Sequence, residues 1–423
     1  MLRAVARNRG ATLATNRQAE AADELAALLL DPVSVRTALA QLSSEAREAL
    51  ESLQVEGGRM RAQSFSRRFG QVRPVGPGRL QRELPWRDPM SPAEELWYAA
   101  LIFYAFDQDE GGAGEFVFIP DDLRPLLPEP LGAPERFAVE IVPLPVSPAG
   151  DELNLVSDLF AYLVYLQNHD VRPYADGRLG RRDLAALRDR LVDSGERRFA
   201  LLQHLVRRLG FVERSGEFLR LDAAPVKQWL TASPGQQLAV LQETWRDDPT
   251  WDDLCKVPSL ICDRETPWRN DPVVTRRALL GLLARCPLTD RWSADSFAVA
   301  VKEAFPDFQR PDGDYASWYI RDAVSGDYLS GFESWDRVEG ALIADLLSGP
   351  LRWLGILDTA AGGAVCRLTG AGTRFLGLIA GEAAEQPAPP IVVYTDLRVE
   401  VPQPASLYTR FQLERFADPL GLE

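Results

Sequence analysis

Residues 152–222 constrain the fold of this chain more than any other stretch, because they predict three helices followed by a tight hairpin. The third predicted helix has leucine and valine at helical spacing from Leu201 to Leu209, which defines one apolar face. Two short strand-like runs follow directly, joined at Ser215 and Gly216, residues that tolerate the backbone angles of a hairpin. A helix that leads straight into such a hairpin is typical of a winged helix.

A looser version of this order precedes the segment and another follows it. The earlier version has predicted helices at 43–53, 61–69 and from Ser91, then a wing formed by a loop at 111–112 and a strand at 116–119. The later one has predicted helices at 273–283, 293–305 and 333–347, then strands at 351–357 and 365–368. The sequence therefore predicts a mainly α protein with small β-hairpins, of the α+β class, built of tandem winged-helix domains.

Proline-rich and glycine-rich stretches suggest where the domains end. The predicted order is a basic arm and helix (1–31), a first winged-helix-like domain (32–124), a linker (125–150), a second winged-helix domain (151–224), a helical connector (225–271), a third winged-helix-like domain (272–380), a second linker (381–390) and a strand-and-helix segment (391–423).

Composition limits the class of protein. Of the 423 residues, 46% are hydrophobic and 26% are charged, a balance typical of a folded globular protein. The longest apolar run, 96–106, is too short to span a bilayer and is predicted to be a buried helix. No apolar signal core follows the basic N-terminus, and four cysteines make no disulfide framework. We therefore expect a cytoplasmic protein with no membrane partner.

The net charge of −14 argues against a nucleic-acid partner, but the charge is unevenly distributed. Residues 59–82 contain seven arginines and no acid, and residues 171–220 contain twelve arginines against seven acids. Arginine suits contact with phosphate because it stays charged and donates two hydrogen bonds at once. The alternatives are a solvated surface in a chain that uses arginine in place of lysine, or contact with an acidic partner.

Several sequence segments in the last third of the chain resemble segments of bacterial helicase-associated winged-helix proteins. Those proteins are similar to the non-catalytic N-terminal region of XPB-type helicases. The segments in this chain are Pro306-Asp307-Phe308-Gln309-Arg310-Pro311-Asp312-Gly313-Asp314, Trp318-Tyr319-Ile320-Arg321-Asp322, Gly331-Phe332-Glu333-Ser334-Trp335-Asp336-Arg337-Val338-Glu339-Gly340 and Gly349-Pro350-Leu351-Arg352-Trp353-Leu354-Gly355.

The resemblance implies tandem winged helices and a role related to DNA, beside a helicase motor or fused to one. The segment 391–416 is similar to the start of that region's last domain, which would continue past Glu423. Either the chain is naturally short, or its terminal domain is incomplete.

No catalytic or metal-binding pattern is found. The lysines, Lys227, Lys256 and Lys302, do not follow a glycine as a phosphate-binding loop requires, so we expect no ATPase. His169 and His204 have no partners at ligand spacing, and Cys255 and Cys262 lack the short paired spacing of a zinc site. The sequence predicts a protein that is not an enzyme and has no cofactor and no metal.

For three further groups of residues, the sequence favours a structural role over a functional one. Asp307, Asp312 and Asp314 are expected to form turns rather than bind calcium. The acids at 333, 336 and 339 share a helix face, which favours a solvated surface or an inter-helix ion pair over an acid–base pair. The tryptophans at 318, 335 and 353 are expected to be core rather than base-stacking residues.

Two functions compete. The first is a non-enzymatic DNA-binding protein that contacts phosphates through arginine clusters, with the second domain as the expected contact. The candidate residues are Arg61, Arg67, Arg68, Arg73, Arg197, Arg207, Arg208 and Arg214. The second is a protein-interaction scaffold that docks a helicase or transcription partner without direct DNA binding.

Overall fold

The computed structural model describes residues 2–15, 17–109, 112–128, 137–143, 154–175, 177–263, 265–266, 268–380, 390–401 and 405–417. The chain divides into two compact units: unit 1 is 1–136 with 310–317, and unit 2 is 137–309 with 318–423. Both contain helices and small antiparallel sheets, so the predicted α+β class is confirmed. The two predicted linkers, 125–150 and 381–390, lie largely outside the described residues.

Unit 1 contains seven described helices and one three-stranded sheet of order β1-β3-β2. The helices are α1 (Leu2–Asn8), α2 (Gln18–Leu29), α3 (Pro32–Gln41), α4 (Ser44–Val55), α5 (Ala62–Phe69), α6 (Pro77–Glu83) and α7 (Pro92–Tyr98), and the strands are β1 (Arg59–Arg61), β2 (Phe103–Asp109) and β3 (Gly112–Phe118).

Polar side chains fix where these helices begin. Asp31, Ser43 and Ser91 each accept a hydrogen bond from a backbone N–H in the first turn of the helix that follows. A core of residues such as Leu53 and Phe65 lies between α4, α5, α7 and the sheet.

Two predictions for unit 1 are wrong. The apolar run 96–106 is not one helix, because α7 ends at Tyr98, Ala100 takes a left-handed φ of 51°, and β2 starts at Phe103. An apolar run alone does not distinguish a helix from a strand. The N-terminal arm, for which the lack of an apolar period in the sequence suggests fraying, instead forms α1 and buries Val5 against Leu25.

Unit 2 contains the remaining α-helices and strands of the described residues. Its helices are α8 (Asn154–Asn168), α9 (Arg181–Arg188), α10 (Glu196–Arg208), α11 (Ala223–Thr231), α12 (Pro234–Asp247), α13 (Pro272–Leu283), α14 (Ala294–Ala304), α15 (Ala341–Ser348), α16 (Pro350–Trp353), α17 (Gly370–Phe375) and α18 (Leu407–Leu413). Its strands are β4 (Val212–Ser215), β5 (Phe218–Leu221), β6 (Leu260–Cys262), β7 (Trp292–Ser293), β8 (Ile320–Asp322), β9 (Leu357–Ala360), β10 (Val365–Leu368), β11 (Val392–Val393) and β12 (Val399–Glu400).

Antiparallel pairs follow helices in this unit. The β4–β5 hairpin comes directly after α10, as the sequence predicts, and β9–β10 is extended by β7 into a sheet of order β7-β10-β9. The predicted strand at 351–357 is wrong in its first part, because Pro350 begins the short helix α16 and β9 starts only at Leu357. The predicted helix at 333–347 begins as a 3₁₀ turn and a π turn before α15.

A buried ionic network holds α12, α13 and the loop between them together. Arg276 is fully buried, forms a 2.6 Å ion pair with Asp253, and donates to the backbone carbonyls of Trp245 and Asp248. The sequence places Arg276 on the polar side of its helix. The guanidinium is nevertheless buried, because the Asp253 carboxylate and the carbonyls provide the partners that a buried guanidinium requires.

The cysteines also differ from the prediction. Cys255 and Cys262 form a disulfide, with a Cα–Cα distance of 5.5 Å, whereas Cys286 and Cys366 are buried thiols. The expectation of four unlinked cysteines is therefore wrong. The disulfide joins a 3₁₀ turn to β6, which follows after a local turn in which the Leu260 N–H donates to the Val257 carbonyl.

Other interpretations are confirmed or corrected by burial. Trp335 is a core residue, as predicted, and its indole N–H donates to the Pro306 carbonyl. Asp314 accepts backbone N–H bonds in a turn, also as predicted. Glu339 is fully buried and accepts a hydrogen bond from Gln309, so the acidic face is not solvated throughout.

Candidate nucleic-acid interface

Most arginines of the run 59–82 make side-chain contacts with other residues of unit 1. The Arg61 side chain is buried, with its guanidinium 4.7 Å from the centre of the Phe116 ring. Arg59 forms a 2.9 Å ion pair with Asp107. The β1–β3 pairing brings both arginines against β3, so this part of the basic run supports the sheet.

Arg67 and Arg68, on α5, are half-buried. Arg67 donates to the Gly313 carbonyl at 2.9 Å, and its guanidinium lies 4.7 Å from the centre of the Tyr315 ring. Arg68 lies over the Phe69 ring at 5.0 Å. Both side chains therefore have contacts within unit 1 that a DNA phosphate would have to compete with.

Arg73 is paired with a buried acid. It forms a 2.7 Å ion pair with Glu94, whose side chain is fully buried. Burial alone would raise the pKa of Glu94, but hydrogen bonds from Arg73 and from the Met90 N–H lower that pKa below its ordinary value. Arg73 thus compensates a desolvated carboxylate.

The helix α10, expected to contact DNA, is covered along most of its length. Among its thirteen residues, those classed as exposed are Glu196, Arg207 and Arg208. Arg197 forms an ion pair with Asp345, and Arg198 forms a buried ion pair with Asp158. In this arrangement the middle of α10 does not present a free face of the kind that enters a DNA groove.

The last turn of α10 is tied to the loop after α12. The Arg208 Nε lies 3.2 Å from Oδ2 of Asp248, which also pairs with the His204 ring. Burial would raise the pKa of Asp248, but hydrogen bonds from Thr250 and His204 lower it below its ordinary value. Arg208 therefore shares its carboxylate, while half of its side chain is exposed.

Two candidate residues are exposed and have no carboxylate partner among the described residues: Arg207 at the end of α10 and Arg214 on β4. Arg214 makes one weak contact, from Nε to the Gly216 carbonyl at 3.4 Å. These two guanidiniums are available to an incoming anion.

The structure adds two arginines to the candidates predicted from the sequence. Arg181 and Arg182 form the first turn of α9, are exposed, and have no ion-pair partner within the described parts of the chain. A helix N-terminus favours acids, so two arginines there do not serve helix stability. That mismatch was a usable signal in the sequence.

A polar pair stands beside these arginines. Tyr165 on α8 donates a 2.8 Å hydrogen bond to Asp183, and the Arg190 guanidinium lies 5.6 Å from the Tyr165 ring centre. Burial, together with the hydrogen bond and the charge of Asp183, raises the pKa of Tyr165 to about 12. The phenol therefore stays neutral, and Asp183 offsets part of the positive charge of Arg182.

We name Arg181, Arg182, Arg207 and Arg214 the exposed arginine set. They lie on α9, at the end of α10 and on β4, all within the helices-and-hairpin segment that the sequence singles out.

The described residues contain no cluster of three or more side chains able to hold a metal ion. None of the described helices is both long and apolar enough to cross a bilayer. No protein-family model and no curated protein matches this chain.

Proposed function

We propose that this chain is a non-enzymatic DNA-binding protein of tandem winged helices, with a helicase- or transcription-related role, that contacts the phosphate backbone. The supporting observation is the exposed arginine set, four exposed guanidiniums without a carboxylate partner in the described residues. An arginine that already has an ion-pair partner must give up that pair to bind phosphate, whereas these four do not.

The expected contact is with the backbone rather than with base edges. Because most of α10 is covered, the available arginines lie at its C-terminal end, on α9 and on the hairpin. Phosphate contacts give affinity and register but do not read sequence. The protein should therefore bind duplexes of unrelated sequence with similar affinity.

Titration of a fluorescent duplex at several salt concentrations tests the proposal. The logarithm of the binding constant should fall with the logarithm of salt, with a slope of about −0.9 per phosphate contacted. Replacing the exposed arginine set with glutamine should reduce the magnitude of this slope by up to about 3.6 and weaken binding at least tenfold at low salt.

A matched variant controls for net charge. Arg79, Arg246, Arg277 and Arg398 are exposed or half-exposed arginines that each have an ion-pair partner. Their replacement by glutamine changes the net charge equally but should weaken binding much less. Equal losses in the two variants, or no binding by the native chain at low salt, would count against the proposal.

A second candidate is a protein-interaction scaffold that docks a helicase or transcription partner. It is favoured by the outer surface of the β6–β8 sheet, where Ile261, Tyr319 and Tyr328 are each more than 40% exposed. The exposed Asp327 lies next to Tyr328 in sequence, and aromatic residues are enriched at protein interfaces, so this surface suits a protein better than DNA. Capture of a helicase by a native chain that does not bind DNA, with loss of this capture in a Tyr319→Ser/Tyr328→Ser variant, would favour the scaffold.

A further inference from the structure

Two arginines and one aspartate form a row across the β7-β10-β9 sheet of unit 2. Arg367 on β10 is paired with Asp358 on β9. The register of β10 with β7 pairs Cys366 with Trp292, so Arg291, just before Trp292, comes opposite Arg367. Like charges directly opposite each other in neighbouring strands are destabilising unless an anion lies between them.

One carboxylate serves both guanidiniums. Oδ2 of Asp358 lies 3.2 Å from Nη2 of Arg291 and 3.1 Å from Nη2 of Arg367. The three side chains are 5%, 15% and 22% exposed for Arg291, Arg367 and Asp358 respectively. The row therefore carries one uncompensated positive charge away from bulk water, which is unfavourable without a counter-charge.

Three guanidinium nitrogens of this row are buried and have no hydrogen-bond partner among the described residues: Nε and Nη1 of Arg291, and Nε of Arg367. Buried donors are nearly always paired in folded proteins, so three in one place call for an explanation. All are N–H donors on cations, a chemistry that matches the oxygens of an oxyanion.

The other groups around the row do not supply the missing charge. The backbone N–H of Val142 donates to the Arg291 carbonyl, so an apolar residue flanks the row on its outer side. Glu140 and Asp290 are exposed and form no ion pair among the described residues. Burial raises the pKa of the Cys366 thiol to about 12, so this neighbour is neutral.

We propose that Arg291 and Arg367, with Asp358 between them, bind a phosphate-type oxyanion. The anion would accept hydrogen bonds from the three unpartnered nitrogens and neutralise the excess positive charge. Asp358 spaces the two guanidiniums and, as a like charge, weakens the binding of the anion. This site uses none of the exposed arginine set, so it does not depend on the proposed DNA contact.

Calorimetric titration of the full chain with inorganic phosphate, in a chloride buffer of constant ionic strength, tests the site. Asp358→Asn removes the competing negative charge and should strengthen phosphate binding about tenfold. Arg367→Gln should weaken binding at least tenfold. Asp170→Asn, which removes a carboxylate from an exposed pair with Arg220, is the matched control and should leave phosphate affinity unchanged.

If Arg367→Gln folds poorly, thermal unfolding of the native chain and of Asp358→Asn with phosphate still tests the site. Phosphate should raise the unfolding temperature of Asp358→Asn by more than that of the native chain, because it replaces the lost carboxylate. No saturable phosphate binding by the native chain, or an Asp358→Asn variant that phosphate does not stabilise, would overturn the proposal.

The phosphate group has two sources, and a second titration distinguishes them. A nucleoside 5′-monophosphate that binds more tightly than inorganic phosphate would indicate a nucleotide phosphate, and the reverse order would indicate free phosphate. Both orders support the site, whereas equal binding by the unphosphorylated nucleoside contradicts it.

Discussion

The arginine run 59–82 and the arginines of 171–220 behave differently, although both are basic in sequence. The first contains no acid, yet Arg59 and Arg73 have ion-pair partners elsewhere in unit 1, and Arg61 is buried. The second is interspersed with acids, yet it contains the exposed arginine set. The partners of Arg59 and Arg73 come from distant sequence: Glu94 is 21 residues from Arg73. A local charge count therefore overestimates the free positive charge of a folded surface.

The largest expected effect is on stability in unit 1. Arg73→Gln leaves the fully buried Glu94 carboxylate without its cation and should clearly lower the free energy of unfolding. Arg182→Gln should change it by less than about 0.5 kcal/mol, because Arg182 is exposed and has no ion pair among the described residues. Urea unfolding of both variants measures the difference, and equal costs would remove the contrast between the two regions.

A smaller contrast is expected within α10 itself. Arg197→Gln should cost about 1–2 kcal/mol, because it leaves the buried carboxylate of Asp345 unpaired, whereas Arg207→Gln should be nearly neutral. Burial already raises the pKa of Asp345 despite Arg197. The cost of Arg197→Gln should therefore shrink as pH falls and this carboxyl takes up a proton. Denaturant unfolding at neutral and acidic pH checks both the size of the cost and this trend.

Asp183→Asn removes a negative charge from α9. It should therefore increase the contrast between the arginines of 171–220 and those of 59–82. DNA affinity should rise about twofold to threefold at low salt, because Asp183 no longer offsets Arg182. The pKa of Tyr165 should fall below about 12 but stay above its ordinary value, since burial is the largest cause of its shift. Tyrosinate absorbance, with Tyr165→Phe as reference, reports the pKa. An unchanged DNA affinity would place the contact away from α9.

The smallest expected effect is on stability at acidic pH, where the exposed ion pairs of Asp247 with two arginines are lost. Hydrogen bonds from Arg246 and Arg277 lower the pKa of Asp247 to about 2. The stabilisation is fully present above the ordinary Asp pKa of 3.8 and is lost as pH falls from there towards about 2. Because the pair is exposed, its contribution should be below about 1 kcal/mol. NMR titration of the Asp247 carboxyl gives its pKa, and a midpoint near 3.8 would contradict the pairing.

Local signals predicted much of the fold. Ser43, Ser91 and Ser293 were identified as helix starts from their position before apolar periods, and each caps its helix. The turn at Ser215 and Gly216 likewise joins the β4–β5 hairpin. The tandem winged-helix arrangement and the domain boundaries stay predictions.

What the sequence did not predict depends on long-range contacts. The burial of Arg276 needs Asp253 and the carbonyls of the preceding loop, and β7 pairs with a strand more than seventy residues later. Of the eight candidate arginines, Arg61 is buried and Arg73, Arg197 and Arg208 have acid partners. No spacing rule identifies such partners, because they meet only once the chain has folded.

Unit 1 is discontinuous in sequence, and this affects how it forms during synthesis. Its second piece, 310–317, provides the Gly313 carbonyl and the Tyr315 ring that contact Arg67. The ribosome releases this piece only after residues 137–309 have been made. Unit 1 therefore cannot complete its contacts as soon as its own first stretch emerges, although N-terminal domains usually fold first. A nascent chain stopped at residue 136 would hold Arg67 without these two partners.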